Sequence, residues 1–314
     1  MSALSPLLLQ AQITPPSGGG SFGLADTTRL ENPFQAPMWL DEIRFRLPTN
    51  FGKSWSSFRV ELKLGEIPLT KGFVPISLFG KALNDSRRGG ELDFNRGIPD
   101  SFTWKLPKPL FIPSRELLRP TMYFDSYSDE FGNPGESGTV TIAYACRPLA
   151  RGTPTPKTLQ VPWVTYYKPD FMTVPGAVEK TDQSTPADLY NPWDQDLHVQ
   201  RFVGRLMCQD RKGENDNNMG LASAIINLDT GLPTYGTFVS AQDSFNNILI
   251  RDNTPFAHVF DFVDRAWTMN CVLPPKGFYL FTVDRLWSGY ENQEGPITAT
   301  VGIGMTGWRE VHYL

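Results

Sequence analysis

Apolar and polar residues alternate with period two along most of this chain. Ile43, Phe45 and Leu47 alternate with Arg44 and Arg46, and Phe58, Val60, Leu62 and Leu64 alternate with Arg59, Glu61 and Lys63. Alternation of this kind puts every second side chain on one face, as a half-buried strand requires. Phe102, Trp104 and Leu106 repeat it, and apolar runs at 73–79, 118–124 and 140–146 complete a first set of strands. A second set is predicted at 197–208, 222–228, 236–241, 248–251, 256–262, 267–273, 278–283 and 297–303. Helical periodicity never exceeds two turns. The one helical-looking stretch in the first set is Ser114-Arg-Glu-Leu-Leu-Arg, ahead of Pro120.

The second set repeats the first. At an offset of 159 residues, Asn32-Pro33 falls on Asn191-Pro192, Met38 on Leu197, Leu40 on Val199, Ile43 on Phe202 and Arg46 on Arg205. Trp104 before Leu-Pro-Lys-Pro answers Trp267 before Leu-Pro-Pro-Lys at 163, and Gly138 answers Gly295 at 157. A period of about 160 residues is too long for a solenoid repeat and reads as a duplicated β domain. Seven or eight strands per half is the size of an eight-stranded sandwich. The expected fold is all-β: two tandem eight-stranded antiparallel jelly rolls with very little helix.

The expected division is an N-terminal arm at 1–31, a first jelly roll at 32–150, a Pro-rich connector at 151–190 and a second jelly roll at 191–314. The arm holds a short apolar patch (Leu7-Leu8-Leu9) and then Pro15-Pro16-Ser-Gly-Gly-Gly-Ser, a floppy composition. It is expected to serve assembly and to lie outside either core. Eight prolines between 148 and 192 withhold ladder donors, which predicts a stiff extended crossing. The aromatic stretch Val161-Pro-Trp-Val-Thr-Tyr-Tyr within it must be covered, and the expected cover is another copy of the chain.

Composition narrows the functions. The chain has 314 residues, 40% hydrophobic and 20% charged, with a net charge of −4. That balance, with no Lys or Arg before Arg29, argues against a nucleic-acid surface. Cys146, Cys208 and Cys271 form no Cys-x-x-Cys pair and are expected to be free thiols from a reducing compartment. No apolar run reaches the length of a membrane span, and no basic region precedes the N-terminal leucines as in an export signal.

Motifs for chemistry are sparse. His198, His258 and His312 have no metal-ligand spacing. Gly-x-Gly-x-x-Gly occurs at Gly18/Gly20/Gly23 and at Gly302/Gly304/Gly307, neither between a strand and a helix, and both are expected to be turn glycines. The acidic loop around Asp125, Asp129 and Glu130 offers hard oxygen donors of the kind Ca²⁺ prefers but departs from EF-hand spacing, and a solvated loop is the expectation. Asp210, Glu214 and Asp216 make a similar polar loop, and the sequon Asn84-Asp-Ser86 carries little without an export signal. No catalytic, cofactor-binding or metal residue is assigned, and no cofactor is expected.

The repeated strand sets beginning at Asn32-Pro33 and Asn191-Pro192, with the segment Pro107–Leu118 between two late strands, resemble the double jelly-roll major capsid proteins of the adenovirus-like lineage. By size the chain resembles those of small icosahedral lipid-containing bacteriophages. The resemblance implies a structural, non-enzymatic protein of the virion, assembled in the host cytoplasm. It implies homotrimers that act as pseudo-hexamers, meeting neighbouring capsomers, minor capsid or vertex proteins and an internal lipid membrane, without direct nucleic-acid binding. Two other classes stay open. One is a carbohydrate-binding spike or receptor-binding protein; the other is a double jelly-roll glycan-cleaving amidase using a tryptophan-lined cleft, for which Trp163, Trp193 and Trp267 are on offer.

Overall fold

The computed structural model describes residues 7–13, 20–23, 36–46, 58–79, 101–116, 118–124, 140–167, 170–173, 178–181, 189–209, 215–216, 224–226, 233–255, 259–260, 266–287 and 297–313. The chain forms two compact units. Unit 1 comprises Met1–Asp85, Ile98–Val164 and Thr306–Leu314, and unit 2 comprises Ser86–Gly97 and Thr165–Met305. Among the described residues the elements are strands, with a single 3-10 turn at Ile76–Leu78.

In unit 1 the strands are β1 (Leu7–Ile13), β2 (Gly20–Gly23), β3 (Met38–Arg46), β4 (Phe58–Leu64), β5 (Ile67–Pro68), β6 (Val74–Pro75), β7 (Ser101–Ile112), β8 (Leu118–Phe124) and β9 (Val140–Pro148). They make two antiparallel sheets, β1-β9-β3-β7 and β2-β8-β4-β5, with β6 also on β4. Counting β5 and β6 as one position, the sheets hold positions 1-8-3-6 and 2-7-4-5. That interleaved order is a jelly roll.

The remaining strands are β10 (Thr158–Tyr167), β11 (Asp170–Thr173), β12 (Val178–Thr181), β13 (Leu197–Gln209), β14 (Asn215–Asp216), β15 (Ala224–Ile226), β16 (Pro233–Asp243), β17 (Ile248–Pro255), β18 (Ala266–Leu273), β19 (Tyr279–Trp287) and β20 (Ile297–His312). Here β20 pairs with β10, β11 and β13, and β13 with β18, while the other sheet runs β12-β19-β16 with β17 on β16. Taking β10–β11 as position 1, the order is again 1-8-3-6 and 2-7-4-5. The short β14 and β15 are additions to β13 and β16.

The repeat reappears in the strand pairing at two points. Ile43 of β3 faces Trp104 of β7, and Phe202 of β13 faces Trp267 of β18. In the first half the register shifts between Leu40 and Glu42; in the second it shifts between Val199 and Arg201, the positions 159 residues on. Opposite each shift the partner strand carries extra residues. In β7 these include Pro107 and Pro109, which give no ladder bonds. In β18 they include Asn270, held in the left-handed region at φ 51°, as a bulge tolerates. Both halves interrupt the ladder at the same position, with the longer insertion in β7.

Each core follows from the alternation. In unit 1, Ile43, Phe45, Val60, Leu62 and Leu64 are at most 1% exposed. Phe79 stacks on Phe45 at 5.4 Å and lies 4.8 Å from Trp104 between ring centroids. In unit 2, Phe202 packs between sheets, with ring centroids 5.6 Å from Trp267, 5.0 Å from Tyr279 and 5.2 Å from Phe281.

Four expectations give way. The N-terminal segment is not outside the core architecture: Leu7–Ile13 pairs antiparallel with Cys146–Val140, and Gly20–Gly23 with Phe124–Thr121. The backbone partners it lacks alone come from β9 and β8 of its own chain. The connector is largely strand, and Val161, Trp163, Val164, Thr165 and Tyr167 are 0–3% exposed within this single chain, so no second copy is needed to cover them. Pro162 is tolerated because β10 ends its sheet. The helix expected at Ser114 is a turn closed by Glu116 N–H to Pro113 O at 3.2 Å, with Arg115 at φ 71°. Finally, Gly302, Gly304 and Gly307 lie inside β20, and Gly20 and Gly23 inside β2, not in turns. The strand expected at Phe256–Phe262 falls mostly outside the described residues.

Candidate functional site

The chemistry-bearing residues are spread out. His198 sits half-buried in β13, His312 is exposed in β20, and His258 lies outside the described residues. So do Asp125, Asp129 and Glu130, Asn84 and Ser86, and Asp210 and Glu214. Among the described residues no group of three or more His, Cys, Asp or Glu side chains could hold a metal ion. No helix among them is long and apolar enough to cross a membrane.

Cys146 and Cys271 are free thiols. Burial first, and the Asp41 carboxylate second, push the Cys146 thiol up to about 12. Burial also raises Cys271, whose sulfur lies 2.7 Å from the Tyr279 hydroxyl; that hydrogen bond works in the opposite direction. Tyr279 is raised in turn by burial and by this contact. A nucleophilic cysteine needs a lowered pKa, so both thiols behave as packing groups. Cys208 belongs to β13, and its side chain lies outside the described residues.

Trp163 is 3% exposed in unit 1, while Trp193 and Trp267 are half-buried in unit 2, the latter stacked on Phe202. Sugar stacking needs an open ring face, which Trp163 lacks. The large exposed apolar side chains among the described residues are Phe245, Ile248 and Val272, all in unit 2. Phe245 is displayed by the β16–β17 turn. Burial pushes the Asp243 carboxyl there upward, but hydrogen bonds from the Asn247 side chain and from the Asn247 and Phe245 N–H groups outweigh it and hold it below the usual range.

Two structural nodes had no role assigned from the sequence, although Asn191 marked the start of the second repeat. Asn191, fully buried, donates from Nδ2 to Gln195 O at 2.7 Å and Leu273 O at 3.0 Å, and its Oδ1 accepts from Trp193 N–H at 3.1 Å. Its backbone adds two bonds, N–H to Gly277 O and Lys276 N–H to its own carbonyl. Arg309 of β20 is 3% exposed in unit 1, donates to Pro68 O at 3.3 Å, and is brought down to about 10 by burial. At the bulge of β3, Asp41 takes a two-pronged bond from Arg147 at 2.6 and 2.7 Å. These groups hold strands together.

No protein-family profile matches the chain, and no curated protein matches it in sequence. Among solved structures it is similar to the major capsid protein of STIV (Sulfolobus turreted icosahedral virus), with 9% identity, a TM-score of 0.43 and 96% of each chain covered. It is similar to a chain of the Sputnik virophage, with 8% identity and a TM-score of 0.36 over 98% of this chain and 86% of that one. With the mavirus major capsid protein it shares 7% identity at a TM-score of 0.36, over 96% of this chain and 86% of the other. The chain's own strand pairing makes it a double jelly roll.

Proposed function

We propose that this protein is a structural subunit of a virus shell, a major capsid protein without catalytic activity. The observation that carries the reading is the duplication: two jelly rolls in one chain, with the same strand order and a register shift at positions 159 residues apart. Duplicating a jelly roll gives one gene product two similar lobes. Three copies around a threefold axis then present six lobes, which lets a trimer fill hexagonal positions of a closed shell. The candidate chemistry agrees, since Cys146 is buried, Cys271 is hydrogen-bonded to Tyr279, and Trp104, Trp163 and Phe202 serve the cores.

On this reading the partners are two further copies in the trimer, neighbouring capsomers, and minor capsid or vertex proteins, in a virion assembled in the host cytoplasm. A net charge of −4 suits a shell that does not itself grip nucleic acid and lies over an internal lipid membrane. The test is the mass of the purified full-length protein by light scattering. The expected particle is three times the 35.2 kDa chain, or larger shells and sheets. A monodisperse monomer at high concentration refutes the proposal.

A further inference from the structure

Unit 1 is built from stretches on both sides of unit 2 in the chain, and its later stretch acts at specific points. Tyr313 N–H donates to Lys157 O at 3.0 Å, and the Tyr313 hydroxyl donates to Glu116 at 2.9 Å. Lys108 sits 5.4 Å from the Trp308 ring centroid, and Arg309 reaches Pro68 O. Beside them the end of β10 is stitched to the β5–β6 segment: Val164 N–H donates to Leu69 O at 2.9 Å and Lys71 N–H to Val164 O at 2.8 Å. Leu69 is fully buried and Trp163 nearly so.

From this arrangement we infer that Thr306–Tyr313 is a strap that closes unit 1, so that unit 1, although most of it is made first, locks only after unit 2 has been made. The physical reason is the buried guanidinium. A nearly covered Arg309 is tolerated only against a surface already shaped to accept it, so the strap docks on a formed unit 1 and does not nucleate it. Until it docks, the Pro68 carbonyl lacks the Arg309 bond, Glu116 lacks the Tyr313 hydroxyl, and the Leu69–Lys71 stitch has one side open. The device delays the finished surface of unit 1 until both halves exist, which for a self-assembling subunit would prevent incomplete chains from joining a shell. The strap rests on contacts within unit 1 and stands whether or not the shell reading holds.

Native-state hydrogen exchange of the full-length protein in low denaturant tests it, on the wild type and on two variants, Tyr313→Phe and Trp308→Ala. The amides of Lys71, Val164 and Tyr313 are expected to open together. Tyr313→Phe removes one hydroxyl without altering the ring, and it should speed those three amides by roughly tenfold, the scale of one hydrogen bond to a carboxylate. Val239 and Val283 of unit 2 should keep their wild-type rates. The inference is overturned if Lys71 and Val164 keep wild-type protection in Tyr313→Phe while Tyr313 alone speeds up. It is equally overturned if unit 2 amides accelerate by the same factor. Should Trp308→Ala fail to fold, the Tyr313→Phe comparison decides alone.

Discussion

Asn191→Ala should unfold unit 2 early, by an amount that follows from its hydrogen bonds. The substitution leaves the carbonyls of Gln195 and Leu273 and the N–H of Trp193 without their side-chain partner. Each orphaned buried group costs about 1–3 kcal/mol, but the Gln195 and Trp193 ends lie nearer solvent and water can take their place. The net loss is therefore about 2–4 kcal/mol. At about 2–4 °C per kcal/mol for a domain of this size, the melting transition of unit 2 should fall by roughly 5–15 °C. Asn191→Asp sharpens the test. It keeps the acceptor for Trp193 but sets a carboxylate oxygen against two carbonyls, so its folded-state pKa is raised. Its stability is then present while the carboxyl is protonated and lost as pH rises through that raised value, the reverse of an ordinary paired carboxylate. Calorimetry of wild type and both variants at pH 4.5 and 7 reads these effects. A melting point within 1 °C or so of wild type for Asn191→Ala at both pH values would refute the reasoning.

Phe202→Ala, which empties the space between Trp267, Tyr279 and Phe281, should cost about 3–5 kcal/mol in chemical denaturation. Loss of less than about 1 kcal/mol would mean the inter-sheet core lies elsewhere. Gly65→Ala should cost about 1–2 kcal/mol, because Gly65 sits at φ 55° and a Cβ would come 2.9 Å from the Glu116 carboxylate. A neutral result would show that the β4–β5 turn can relax. Raising pH should destabilise unit 1 through Cys146: its folded pKa of about 12 exceeds its ordinary value of 9.0, so the stability it contributes is complete below pH 9 and is lost as pH rises toward 12. Cys146→Ala should flatten that part of the pH profile, and an unchanged slope would count against burial as the cause.

The strands with alternating charge were legible because burial on one face forces period two. Val60, Leu62 and Leu64 are buried while Arg59, Glu61 and Lys63 reach solvent. The duplication was legible because the bulge and the Ile43–Trp104 and Phe202–Trp267 pairs constrain the same positions in both halves. The N-terminal strand was misread although Leu7, Leu9, Ala11 and Ile13 alternate with Leu8, Gln10 and Gln12. Its Gly- and Pro-rich continuation outweighed a seven-residue pattern whose stability comes from the distant β9. The connector was misread for a related reason. Proline density argues against central strands, yet Pro107, Pro109 and Pro162 sit at a bulge or in an end strand, where a missing N–H is tolerated. Arg309 had no local signal, since its partner Pro68 lies 241 residues away, whereas Asn191 marked the repeat and bonds locally to Gln195 and Trp193.

Electron cryomicroscopy of the assemblies formed by the full-length protein tests the central claim most directly. The account expects capsomers of three chains with six similar lobes, two from each chain, arranged in closed shells or flat hexagonal sheets. Two-lobed single particles that stay separate at every concentration, or rings whose lobes do not number two per chain, would contradict it.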